Sequence, residues 1–444
     1  VKLVHLASIV VAVVAVVTCG ASARGAVIKV SKAGPITSIQ AGVDLAQAGD
    51  VVRVSSGLYA ESVTIPQAKT GLVLQGKGKV VIEPRGAGGI VLGIGVDVEA
   101  SGAKVKGLSI RHTAATLSDP GAGIRVTGTS VTVEKCSVET SEDMGIEVTG
   151  NDCVIRKCSL SALPIGVRGV DTSGLRVESC AFRDCDLGVA ATALGAGLVD
   201  KCSFVGGGDD AVLVSTTAGG FTVSRCSMKL RHGGAVSILG PGGVVLDCKV
   251  FRCEFGFLLR SDGGSVEDCK VTFLRSDFGI FAFDCDDVRI TGNRLARSPS
   301  LAIGISSVAG ATIGDNRIAA CGLGLETSFV VGSSTNVVCE NVRVVGGGQD
   351  AFRIDATNAV FTGCSAKNAL SDGFDVLATS TNVRIESCVA KGCGAEGISN
   401  SGAATELADC VAKQNRLDFA NDGSLTLADI EFVTGGSTTP PEID

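Results

Sequence analysis

A cysteine recurs about every 22 residues along this chain, each time followed two places later by an apolar residue or alanine. The series runs Cys136, Cys158, Cys180, Cys202, Cys226, Cys248 and Cys269, then resumes at Cys364, Cys388 and Cys410. Asn293, Asn316 and Val342 fill the gap with the same flanks. A fixed period of about 20–50 residues is the mark of a stacked repeat. The repeat overrides the two or three domains that a length of 444 residues would otherwise suggest, because a solenoid grows by adding coils to one continuous core.

Antiparallel hairpins would not return a side chain to one face at this spacing, whereas a parallel coil lays each mark on the one before. From about residue 51 to 432 the chain is short apolar runs broken by Gly, Asn, Asp and Ser, with no segment of helical period. One unit is Val131–Val138, a polar turn, Gly145–Val148 and Gly150-Asn151-Asp152, which is room for three short strands. About sixteen such coils rising ~4.8 Å each predict a rod about 75 Å long. Its core is slender, since aromatics are 4% of the chain, Trp is absent and Tyr59 is the single Tyr. Ahead of the coils come Val27–Val30, which reads as a strand, and Thr37-Ser38-Ile39-Gln40, which reads as a capping box. A lone helix there predicts an end cap over residues 24–50, covering an apolar cross-section and a pairing edge. The coil is then expected over 51–432 and a flexible tail over 433–444, with no second domain.

Lys2, the apolar run Leu3–Val17 and Ala21-Ser22-Ala23 read as a secretory signal over residues 1–23. The run is short for a membrane span of about 20 residues. The expectation is a protein secreted or held in the cell envelope, with lipidation of Cys19 as the rival reading. The formal charge is −7, from 39 basic and 46 acidic residues. Nucleic-acid binding needs a basic footprint, and a polyuronate partner would need a local basic groove or bound Ca²⁺. Seventeen cysteines would remain after removal of the signal. Inward thiols on coils ~4.8 Å apart exceed the ~3.8 Å Cβ separation of a disulfide, so a column of mostly reduced thiols is expected. Zinc lacks a C-x-x-C pair and has only His112 and His232 to call on.

These repeats, Val/Ile-x-x-Cys/Asn-x-apolar followed by Gly-Ile/Val/Phe, resemble the pectin-lyase-like superfamily, which includes pectate lyases, polygalacturonases and NosD-like repeat proteins. Ser38-Ile39-Gln40-Ala41, Gly49-Asp50 and Gly57-Leu58-Tyr59 are similar to the N-terminal segment of bacterial members. The resemblance implies an all-β fold, a single-stranded right-handed parallel β-helix. It also implies a polysaccharide or cell-surface glycan as partner. The chain would then be a polysaccharide lyase or glycoside hydrolase acting on acidic glycans, or a non-catalytic envelope or extracellular protein that binds glycan.

Equal offsets from the mark stack into columns. Six to eight residues after it come Asp186, then Asp209 and Asp210, then His232, Glu254, and Arg275 with Asp277. Adjacent coils would bring these within roughly 5–10 Å, and paired carboxylates with a His or Arg neighbour can supply acid and base for glycosidic cleavage. Gly208-Asp209-Asp210-Ala211-Val212 and Arg231-His232-Gly233 resemble two polygalacturonase motifs. The resemblance implies that Asp209 or Asp210 is the acid, its partner the base and His232 an electrostatic helper. Cys185-Asp186-Leu187 and Leu258-Leu259-Arg260 depart from the other two motifs. A lyase would need a cationic base and Ca²⁺. The densest acidic cluster for the ion is Asp284, Asp286 and Asp287, with Arg260, Arg275 and Arg289 as its basic neighbours. A further acidic set has Asp350, Asp372 and Glu396 eight residues after successive marks, with Asp375 beside them, and reads as a Ca²⁺ or sugar-binding stripe. Turns are polar in any solenoid, so for each set plain solvated surface is the reading favoured over a functional one. Asp119-Pro120-Gly121 lacks the His of the epimerase Asp-Pro-His motif. Cys185, Cys253, Cys321 and Cys393 lie five residues after every third mark, a spacing with no functional reading of its own.

Overall fold

The computed structural model describes residues 25–84, 93–111, 121–139, 144–275, 277–322, 327–428 and the backbone of 431–433. The expected signal over residues 1–23 with Cys19, His112, Asp119-Pro120 and the expected tail from 434 lie outside the described residues. Val433, expected to begin the tail, is the last residue of the strand Glu431–Val433.

Each coil carries three short strands, and every strand pairs in parallel with its counterpart one coil away. The result is a solenoid of about sixteen turns with a single α-helix. Three sheets run its length. The first contains Thr132–Glu134, Val154–Arg156 and Arg176–Glu178. The second contains Ser203–Val205, Ser227–Lys229 and Lys249–Phe251. The third contains Val212–Thr216, Val236–Leu239 and Phe257–Arg260. Alternate side chains point inward, and Val, Ile, Leu and Cys fill the core. Larger rings stack from coil to coil where there is room, as Phe182 on Phe204 and Phe352 on Phe374, both at 4.6 Å between centroids.

The repeating mark sits at the corner between the first and second sheets. The residue before it is in the left-handed region, as at Lys157 (φ 56°), Ser179 (φ 54°) and Lys201 (φ 54°). Such a bend takes one residue out of the ladder and leaves buried backbone groups to be satisfied. The mark's side chain does this. The N–H of Cys158 donates to Cys180 Sγ (3.4 Å), and that thiol lies 3.6 Å from Ile155 O. At Asn293 the same connections are amide hydrogen bonds: Cys269 N–H donates to Oδ1 (2.8 Å), and Nδ2 donates to Val266 O (2.9 Å). Asn316 repeats the pattern on Asn293 N–H and Ile290 O. Cysteine and asparagine are interchangeable here because each accepts one bond from below and donates one. All 17 described cysteines are buried and unbridged.

A second left-handed corner joins the second and third sheets, and it accounts for the other cysteine series. Cys185, Cys253, Cys321 and Cys393 follow Asp184, Arg252, Ala320 and Gly392, all with positive φ. They occupy one inward column that other coils fill with Arg231 after Leu230 or Leu274 after Phe273. The three-coil spacing therefore samples a second column in the core.

The strand Val27–Val30 pairs with Val51–Val54, and the helix Ile39–Leu45 buries Ile39 and Val43 against the end of the core. Its N-cap is Ser38, one residue later than the capping-box spacing from Thr37 implied, with Oγ accepting from Ala41 N–H. Glu61, on the first coil, takes the N–H groups of Ile39 and Gln40 and the Ser38 hydroxyl, a carboxylate set on the positive end of the helix.

Candidate functional site

The column anticipated around Asp210 lies at the turn between the second and third sheets, and the coil does bring successive turns together. Asp186 Oδ1 accepts the N–H of Gly208 (3.2 Å), and Asp210 Oδ1 accepts the N–H of Gly234 (3.0 Å). Asp186 and Asp209 are exposed and Asp210 is half-buried. Burial raises the Asp210 carboxyl above its ordinary range, against a hydrogen bond from Ser237, the Gly234 N–H and the charge of Arg231. His232 is exposed, and its Nδ1 lies 3.0 Å from Nη1 of Arg275 two coils above. Since Arg only donates, this fixes the imidazole as an acceptor at Nδ1. Glu254 is half-buried on the coil between them, and the Asp277 N–H donates to its carbonyl (3.3 Å).

The organiser of this region is Arg231, expected from the sequence only as a neighbour of the histidine. Its side chain is fully buried. Nε donates to Asp209 O (3.0 Å) and Nη1 to Gly206 O (2.6 Å). Nη2 reaches the carbonyls of Cys185 (3.1 Å), Asp186, Asp209 (2.7 Å) and Asp210 (3.1 Å). The guanidinium ties turns on three coils together. Gly207 beside it has φ 103°, and a Cβ there would lie 1.9 Å from Cys185 O. Gly206-Gly207-Gly208 is thus a backbone wrapped on a cation. The two carboxylates placed in the acid and base roles sit on the rim of this clamp, one of them holding the next coil.

Arg260 does not join this column. It stands at the far end of the strand Phe257–Arg260, 3.8 Å from Asp284 across an exposed ion pair. With Asp262, Ser215 and Pro241 they line an open cavity of about 340 Å³. The cation cluster expected from Asp284, Asp286 and Asp287 is not assembled. Asp284 pairs with Arg260, the Asp286 N–H bonds to Asp262 Oδ1 (3.0 Å), and Asp287 occupies a separate left-handed corner. Arg289 is 3.9 Å from Glu267 on the first sheet. Between the two ends of the third sheet runs a row that sequence reasoning missed. Phe255, Phe278, Phe281 and Phe283 are half-buried, with successive centroids 5.1, 5.3 and 5.8 Å apart. The signal was available: only 16 Phe occur in the chain, and six fall within the 29 residues from Phe255 to Phe283, these four among them.

The second acidic set is the one that gathers. One carboxylate oxygen from each of Asp350, Asp372 and Asp375 lies within 4.8 Å of the others, the only such group of three acidic, His or Cys ligands among the described residues. Asp350 Oδ1 accepts the N–H of Asp372 (3.2 Å), and Asp372 Oδ1 accepts the N–H of Glu396 (2.8 Å). Asp372 is 9% exposed. Burial, and then a hydrogen bond shared with the Glu396 side chain, push its carboxyl up to about 7. Asp375 points outward from the third sheet, in register with Arg353 on the coil below. Burial and Asp350 push it up to about 6, opposed by Arg353. An all-oxygen donor set of this kind fits a hard cation such as Ca²⁺.

The model of the right handed beta helix region family matches residues 92–239 and 255–416. No curated protein matches the chain. Among solved structures, a mutant of a periplasmic alginate epimerase is 14% identical over 66% of this chain and 78% of its own, with a TM-score of 0.42. The A-module of a mannuronan C-5 epimerase from Azotobacter vinelandii is 11% identical over 91% of this chain and 95% of its own, with a TM-score of 0.34. A pectin methylesterase from Aspergillus niger is 14% identical over 50% of this chain and 85% of its own, with a TM-score of 0.30.

Proposed function

The chain belongs to the right-handed β-helix family, and on that premise we propose that it is an exported protein that cleaves a polysaccharide laid over the outer face of its third sheet. The observation that carries this reading is the gathering of Asp350, Asp372 and Asp375, with one carboxylate oxygen of each within 4.8 Å of the others, where burial and the Glu396 side chain push the Asp372 carboxyl up to about 7. Protonated Asp372 supplies the general acid for the glycosidic oxygen. Asp375, within 4.8 Å of it, supplies the second carboxylate. This separation is nearer the ~5–5.5 Å of retaining glycosidases than the ~6.5–9.5 Å of inverting ones. Asp375 then attacks the anomeric carbon, and water releases the sugar in a second step assisted by the first carboxyl. Arg353 lowers the Asp375 carboxyl toward the ionised form this needs. The Phe255–Phe283 row offers apolar faces for sugar rings further along the same sheet.

The test is an activity screen on pectate, polygalacturonate and alginate, with and without Ca²⁺. New reducing ends without unsaturated product are expected, and Asp372→Asn should lower the rate at least about a hundredfold. Full activity in that variant, or no turnover of any polymer, would sink the proposal. A second reading, a non-catalytic glycan-binding protein with Ca²⁺ on Asp350, Asp372 and Asp375, is favoured by one observation. Both Asp350 and Asp372 already serve the backbone of the coil above. Ca²⁺-dependent thermal stabilisation in the absence of turnover would select it.

A further inference from the structure

The charges on the first and third sheets are paired from coil to coil. Glu134 meets Lys104 (3.3 Å) and Arg156 (3.2 Å), Asp200 meets Arg225 (2.7 Å), and Arg384 meets Glu406 (2.9 Å) on or beside the first. Glu147 meets Arg168 (3.6 Å) on the third. The second sheet breaks this rule. Lys249, Lys270, Arg294, Arg317 and Arg343 are directly opposite one another on five consecutive strands. Like charges set opposite across a ladder oppose folding, yet all five are exposed and none forms an ion pair among the described residues. Lys229 continues the series one strand below, two places along the chain. Lys367, Lys391 and Lys413 continue it above in that same neighbouring column. Nine consecutive strands therefore each present one outward cation and no outward acid. Four exposed aspartates, Asp247, Asp268, Asp315 and Asp409, stand at the corner beside the row, all in left-handed positions.

We propose that this row is a binding site for a linear polyanionic polysaccharide, a uronan carrying one carboxylate per sugar, lying lengthwise along the second sheet. The five central cations make a straight run about 19 Å long, and the four flanking ones, two places along the strand, extend the track to about 38 Å with one charge per ~4.8 Å step. That geometry suits an extended chain with a regular, single file of anions. Duplex nucleic acid presents two phosphate strands around a groove. Single strands need aromatic platforms spaced along the cations, and here Phe251 and Phe273, under Arg252 and Arg297, stand at one end alone. At that end Lys229, Lys249, Lys270, Phe251 and Thr272 line a shallow cavity of about 380 Å³ where the polymer would seat a terminal sugar. The overall charge of −7 is no obstacle, because the opposing charge lies mostly on other faces and is screened beyond about 8–10 Å. The site lies on a different sheet from Asp372 and does not depend on whether that residue is catalytic.

The experiment is equilibrium binding of polygalacturonate, dextran and a single-stranded oligonucleotide to the full chain, measured with the Asp372→Asn variant so that cleavage plays no part. Polygalacturonate should bind, weaken steeply between about 50 and 200 mM NaCl, and outcompete the oligonucleotide, while dextran does not bind. Replacing the five central cations by serine, the residue that column holds at Ser137, Ser159, Ser203 and Ser227, should weaken polygalacturonate at least tenfold. Arg289→Ser on the first sheet should leave binding unchanged. Should the fivefold variant not fold, Lys249→Ser with Lys270→Ser should give an intermediate loss. Unchanged polygalacturonate binding in the serine variants overturns the proposal. So does an oligonucleotide that binds as tightly as the uronan, or binding that does not respond to salt.

Discussion

Two turns on the same edge of the coil, one around Asp186–Gly234 and one around Asp350–Glu396, are built on one backbone device and balanced in opposite ways. In each, a carboxylate accepts the N–H of the coil above, and that coil's carboxylate repeats the bond. In the first, the inward position behind the turn holds Arg231, whose buried charge faces Asp186 and Asp210. In the second, the same inward column holds Ala369 and Cys393, and the nearest cation, Arg353, is exposed on the outside. The first turn brings its own counter-ion. The second has no cation behind it, and burial with the hydrogen bond shared with Glu396 pushes the Asp372 carboxyl up to about 7. A shared hydrogen-bond pattern thus says little about chemistry until the charge behind it is counted.

Removing the internal counter-ion is the harshest way to break this contrast. Arg231→Leu strips six carbonyl hydrogen bonds of their donor and should destabilise the fold by roughly 3–5 kcal/mol in urea titration, the range for breaking a buried ionic network. A loss below about 1 kcal/mol would mean the clamp is dispensable. The pH dependence of the second turn comes next. With a folded pKa near 7 and an unfolded one near 3.9, Asp372 binds its proton more tightly in the folded state. Its contribution is fully present below about pH 4 and is lost as pH rises through 7. Asp372→Asn should match the parent at pH 4 and exceed it by about 1–2 kcal/mol at pH 8, allowing for partial screening. Equal stability at both pH values would mean that Asp372 is not protonated. Asp210→Asn sharpens the comparison from the other side. Its carboxyl is also raised by burial, but the Ser237 hydrogen bond, the Gly234 N–H and the Arg231 charge offset part of the shift, so any gain at pH 8 should stay below about 0.5 kcal/mol. The smallest contrast concerns Cys185 and Cys393, which share one inward column behind the two turns. Burial pushes the Cys185 thiol up to about 11 and raises Cys393 as well. Both should resist alkylation in the folded chain and react on unfolding, and fast labelling of Cys393 alone would show that the second turn opens.

The architecture was legible because a thiol or amide fills nearly every corner between Cys136 and Cys410, Val342 excepted, and leaves a mark about every 22 residues. The stacking of Asp350, Asp372 and Glu396 was legible for the same reason, as equal offsets from those marks. What the offsets could not tell was direction and depth. Arg231 and His232 are neighbours in sequence, yet a left-handed Leu230 turns the first into the core and leaves the second outside. Asp284, Asp286 and Asp287 are close in sequence but are divided by two left-handed corners, at Asp284 and Asp287. The cations of the second sheet were in plain view one or three places after the mark, in Cys269-Lys270 or Cys388-Val389-Ala390-Lys391. Whole-chain charge hides them, because it averages a one-sided row with acids that face elsewhere.

The corner rungs also decouple length from function. Each coil is held by bonds that its neighbours would make to any coil of the same kind, whether the rung is Cys180 on Cys158 or Asn316 on Asn293. Excising the 22 residues from Cys158 to Ser179 would set Cys180 directly above Cys136, shortening the rod by one turn while Arg231, Asp372 and the row from Lys229 to Lys413 keep their internal geometry. Descendants of this sequence can therefore lengthen or shorten by whole turns, as a modular filament does, with each face inherited intact.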